Sequence, residues 1–145
     1  MMSIEQLVEK IKEFSTMYGY ESPVPATPSE ISTLKHEFSV AYHMALPQSF
    51  CELLSFSNGI IFNGLTLWPT RVYGHFHESL LDANENLRAS FDDQFIYFGM
   101  MDEELYVYDT LKKYYKAIEF VGKAEWQTFP DCESMIKFML ERAIE

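Results

Sequence analysis

Cysteine, glycine, proline and positive charge are all in short supply. Cys51 and Cys132 are the only cysteines among 145 residues. One pair in an otherwise cytosol-like chain reads as two buried thiols rather than a disulfide framework. Glycine and proline number 6 each, which excludes collagen-like and low-complexity chains. No stretch approaches the roughly 20 apolar residues of a membrane-spanning helix. Met1-Met2-Ser3-Ile4-Glu5 has neither the basic start nor the apolar run of a secretory signal, so a cytoplasmic location is expected. Lys and Arg total 11 against 22 Asp and Glu, a net charge of −11. Such a chain is ill suited to nucleic-acid phosphates or anionic membranes. Acidity on this scale suits a basic protein partner, or solubility alone.

Apolar material is plentiful. Hydrophobic residues make up 48% of the chain, with 12 Phe, 9 Tyr and 2 Trp, so one core can form without metal or disulfide. No repeat or long linker divides the chain, and a single domain over residues 1–145 is expected.

Periodicity supplies the elements. Ile4, Leu7, Val8, Ile11, Phe14 and Tyr18 form one helical stripe, opened by a Ser3/Gln6 capping pattern and stopped at Gly19. Pro23, Pro25 and Pro28 make residues 20–28 an extended loop. Thr27-Pro28-Ser29-Glu30 starts a second helix, with Ile31, Leu34 and Phe38 inward. A third begins at Leu46-Pro47, buries Phe50, Leu53 and Leu54, and is expected to end in a left-handed turn at Asn58-Gly59. Asn63-Gly64 between Ile60-Ile61-Phe62 and Leu65-Thr66-Leu67-Trp68 marks a hairpin. A fourth helix spans Ser79 to about Ser90. It points Asn84 inward, where the amide needs partners. Strands at 95–98, 105–108 and 114–118 form a meander, with a brief extended segment at 126–128. A last helix starts near Asp131. The fold class is α+β, an antiparallel meander packed with helices.

The run Leu46-Pro47-Gln48-Ser49-Phe50-Cys51-Glu52-Leu53-Leu54-Ser55-Phe56-Ser57-Asn58-Gly59 resembles the signature of the SMI1/KNR4 family, the SUKH superfamily. Leu46, Pro47, Phe50, Leu53, Asn58 and Gly59 carry the match as structural residues, and the downstream hairpin, meander and helix follow the same order. The resemblance implies a non-enzymatic protein-binding function without a cofactor. Many bacterial members are immunity proteins that neutralise a cognate polymorphic toxin, often a nuclease. Fungal members are associated with cell-wall glucan synthesis, so a regulatory scaffold is the alternative.

Other chemistry is weakly supported by the residues. His75 and His77, two apart in an extended segment, could join Asp82 around zinc in a metal-dependent hydrolase. Characteristic metal spacing and a clear third ligand are missing, so no metal is expected. His36 and His43 read as surface or boundary residues. Cys132 near a helix N-terminus could be reactive, but Asp131 and Glu133 oppose its thiolate.

Charge is unevenly spread. Between Asp82 and Asp109 stand eight acids and one base, Arg88. The expected partner-binding surface is Asp92, Asp93, Asp102, Glu103, Glu104, Tyr106, Tyr108 and Asp109, where tyrosine anchors lie among acids that steer a basic partner. The alternative is that half of the strand tyrosines pack under helices while the acids occupy solvated turns.

Overall fold

The computed structural model describes residues 1–145. Its elements run α1 (Ile4–Met17), α2 (Pro28–Tyr42), α3 (Gln48–Phe56), β1 (Ile60–Phe62), β2 (Leu65–Leu67), α4 (Leu80–Ser90), β3 (Phe95–Met101), β4 (Glu104–Asp109), β5 (Tyr114–Glu119), β6 (Glu125–Phe129) and α5 (Cys132–Ala143). The helix starts obey their caps. Ser3 with Gln6, Thr27 with Glu30, and Ser79 with Asp82 each form a reciprocal capping box, and Asp131 accepts from Ser134 N–H. Each satisfies N–H groups that a first helical turn leaves without partners. α1 ends in a Schellman turn. Gly19 takes φ +80°, Gly19 N–H donates to Thr16 C=O, and Tyr20 N–H reaches back to Ser15 C=O.

The end of α3 departs from expectation. Ser57 is extended, and only Gly59 is left-handed, at φ +88°. Asn58 is buried instead. Its carboxamide accepts from Thr70 N–H (2.8 Å) and donates to Thr70 Oγ1 (2.9 Å), while its carbonyl accepts from Tyr73 O–H. Asn58 therefore fastens the 70–76 loop to the start of β1. A Cβ on Gly59 would lie 2.7 Å from the Phe76 ring, so glycine is required there for space as well as conformation.

All six strands join one antiparallel sheet in the order β1-β2-β3-β4-β5-β6. The β1–β2 hairpin turns through Asn63 (φ +50°) and Gly64 (φ +86°), as its sequence predicts. It then joins the meander, because β2 pairs with β3 across the whole α4 connection. β2 is short and ends at Leu67, opposite Gly99, so β3 runs on without it. Asn84 of α4 takes over. Its amide donates to Tyr97 C=O (2.8 Å) and accepts from Tyr97 N–H (2.7 Å), copying the paired bonds of a neighbouring strand.

The helical layer covers one face. Phe98 packs against Phe38 of α2 and Phe50 of α3, and Tyr106 and Phe129 meet Phe138 of α5. On the other face Phe91 stacks on Phe120 (5.0 Å) and sets its edge to Tyr97 (6.3 Å). One hydrophobic core runs through all the elements and includes Cys51 and Cys132, which are free thiols.

Candidate functional site

The acidic stretch does not form one surface. Along β4 successive side chains alternate faces, so Leu105, Val107 and Asp109 oppose Glu104, Tyr106 and Tyr108. Asp102 and Glu103 make the β3–β4 turn at one end of β4. Asp109 closes the other end, about 17 Å away at the usual strand rise. Asp92 sits over the sheet, its carbonyl accepting from Tyr97 O–H and its carboxylate paired with Lys123 at 3.0 Å.

Two residues expected at the interface are inside the protein. Tyr106 is fully buried against α5, and its hydroxyl accepts from Arg142 at 2.7 Å. Asp109 is fully buried at the β4–β5 turn. It accepts from Gln94 Nε2, Leu111 N–H and Lys112 N–H, and pairs with Lys116 Nζ at 2.9 Å. Burial alone would raise the Asp109 pKa. The Lys112 amide, Lys116, Gln94 and the Leu111 amide outweigh it, and the carboxyl falls to about 2. The Lys116 ammonium also lies over the Phe95 and Tyr114 rings and reaches Glu125 at 3.2 Å. Asp109 thus organises a turn.

Two more of the eight are engaged. Asp92 holds Lys123, and Glu104 holds Arg142 at 2.6 Å. Tyr108 is half-buried and packs on Tyr115 at 4.9 Å. Asp93, Asp102 and Glu103 remain exposed, the latter two together. Half of the expected surface is therefore lost to the interior or to ion pairs. The cause is that acids at strand ends serve turns, and alternate strand residues serve the core.

The other sequence candidates are dispersed. His75 and His77 are both exposed, while the Asp82 carboxylate accepts from Ser79 N–H in the α4 cap. No three His, Cys, Asp or Glu side chains converge in a metal-holding group. His36 and His43 are exposed, His43 as the left-handed cap of α2 at φ +55°. Cys132 is buried at the first turn of α5. Burial pushes its thiol up to about 12, opposing any activation by the helix N-terminus. Leu46, Phe50 and Leu53 fill the core, Pro47 opens α3, and Asn58-Gly59 anchors the 70–76 loop.

One concavity was not foreseen from the sequence. An open groove of about 960 Å³ lies between the end of α1, the 20–24 loop, β1, the 73–76 loop and the end of α5. Its walls are aromatic: Phe14 stacks on Phe62, and Tyr73 packs on Phe76. Tyr18, Tyr20, Val24 and Ile61 expose about half or more of their surface along it. Its charged lining residues are Glu21 and Glu145, and no Lys or Arg lines it. Tyr18-Gly19-Tyr20, aromatics around a helix-terminating glycine, is a local signal that could have pointed to it, and His75, singled out above for metal, lies in its wall.

The chain matches no model of a known protein family, and no curated protein matches it. No helix is long and apolar enough to cross a membrane.

Proposed function

We propose that this protein works by binding another protein, as an immunity protein that neutralises a basic toxin domain of the nuclease class. The observation that carries the reading is the coincidence of charge and shape. The chain has a net charge of −11, and an open groove has an aromatic lining with carboxylates and no Lys or Arg. Aromatic side chains partly free of the core are suited to serve as interface anchors. Excess negative charge steers a basic domain toward them. The SMI1/KNR4 resemblance at Leu46–Gly59 supplies the immunity role, since nuclease toxins present cationic surfaces for phosphates.

The test is co-expression with a panel of cationic nuclease toxin domains, any encoded beside this gene first among them. Growth restored by the protein, together with a binding constant that weakens as salt rises, is the expected result. Failure to bind at low salt, or no rescue, refutes the immunity role. Glu103→Lys combined with Asp93→Lys should slow association severalfold while leaving dissociation nearly unchanged.

A further inference from the structure

We infer that the groove docks an extended, lysine- or arginine-bearing segment of the partner, which adds a strand to the free edge of β1. The inference rests on the protein-binding reading and assigns it a place and a mode. β1 is the outermost strand and pairs only with β2. In the register Phe62↔Leu65, Ile61↔Thr66 and Ile60↔Leu67, the two-residue turn makes Phe62–Leu65 the closing hydrogen-bonded pair. Ile60 and Phe62 then spend their amides and carbonyls on β2. The N–H and C=O of Ile61 point outward, and no loop, turn or cap bond engages them. The 20–26 loop covers the chain just upstream, where Asn58 N–H donates to Val24 C=O, and stops short of Ile61. The groove therefore holds an unused donor and acceptor beside aromatic walls.

Charge selects the occupant. Glu21 and Glu145 line the groove without a counter-ion, and α1 presents the carbonyl end of its dipole there with no basic residue in its last turn. Tyr18 and Tyr20 offer exposed ring faces on which an ammonium or guanidinium can settle. A second copy of this chain fits poorly, because it would bring two sets of these carboxylates and two charges of −11 together.

The probe is a blocked nine-residue peptide of alternating Lys and Val, with a Glu/Val peptide as control. Binding is followed by fluorescence anisotropy, and hydrogen exchange at the Ile61 amide by NMR. The Lys/Val peptide should bind, weaken with added salt, and slow exchange at Ile61, while the Glu/Val peptide does not bind. Ile61→Pro removes the outward N–H without touching a ladder bond, and should weaken binding about tenfold, as expected for one lost hydrogen bond plus misfit. Should that variant lose its native thermal transition, the doubly substituted Glu21→Lys/Glu145→Lys protein serves instead and should lose binding. Equal binding by the variants, or unchanged exchange at Ile61 in the complex, overturns the proposal and leaves charge-driven binding elsewhere on the protein intact. Failure of the Lys/Val peptide to bind also overturns it, while toxin co-expression still decides the immunity reading. Protection of Ile61 through self-association alone overturns the choice of occupant.

Discussion

Replacing Asp109 by Asn should cost about 3 kcal/mol at neutral pH, because the Lys116 ammonium is then left buried with only the half-solvated Glu125 carboxylate beside it. In a chain of this size that lowers the melting temperature by roughly 6–12 °C. The pH dependence identifies the source. The native carboxyl titrates at about 2, against an ordinary value of 3.8. A depressed native pKa contributes stability that is present above the unfolded value and lost as pH falls through the folded one. For Asp109 this amounts to about 2 kcal/mol, lost between roughly pH 5 and pH 2. Wild type loses it on acidification and Asp109→Asn has none to lose. The stability gap should therefore shrink to about 1 kcal/mol near pH 2. Urea unfolding at a series of pH values, followed by fluorescence of buried Trp68, measures the gap. A gap of the same size at pH 7 and pH 2.5 would refute the ionised carboxylate as its origin. The variant should also bind a basic partner as wild type does once folded, because Asp109 is not on the surface.

Asn84→Ala should destabilise by about 2–5 kcal/mol, since it strands the Tyr97 N–H and C=O in the core without partners; calorimetric melting of the two proteins would show it. Asn84→Asp, which keeps an acceptor for Tyr97 N–H but loses the donor, should not restore wild-type stability. Cys51 and Cys132 are both buried, with thiols pushed up by burial, so a thiol reagent at pH 8 should react only on the timescale of unfolding. Rapid labelling of either cysteine in native protein would contradict their placement in the core.

The local signals were legible because their physics is local. Ser3 and Thr27 cap helices through bonds to residues three positions on, and Asn63-Gly64 turns a hairpin within four residues. Those distances along the chain are shorter than any tertiary contact. The meander was legible for a related reason: turns of a few residues leave adjacent strands only antiparallel pairing. The need of Asn84 for partners was equally clear from its inward position, but the identity of those partners was not, because Tyr97 reaches it only after β2 has ended.

Position in space was decided by tertiary structure. The acids at 92–109 are neighbours in sequence, and a sequence-based patch follows naturally. Strand alternation and the length of β4 send them to separate places, and the desolvation of Tyr106 and Asp109 commits these two to Arg142 and Lys116. The groove has the opposite history. Tyr20, Ile61, Phe76 and Glu145 are far apart in the chain, and no window of sequence holds them together. They meet because α1, the proline-bearing loop, the edge of the sheet and α5 end in one place. The sequence by itself determined the caps, the turns, the antiparallel order and the excess of negative charge. Only the packing of helices against the sheet decided which acids face water and which strand edge stays open.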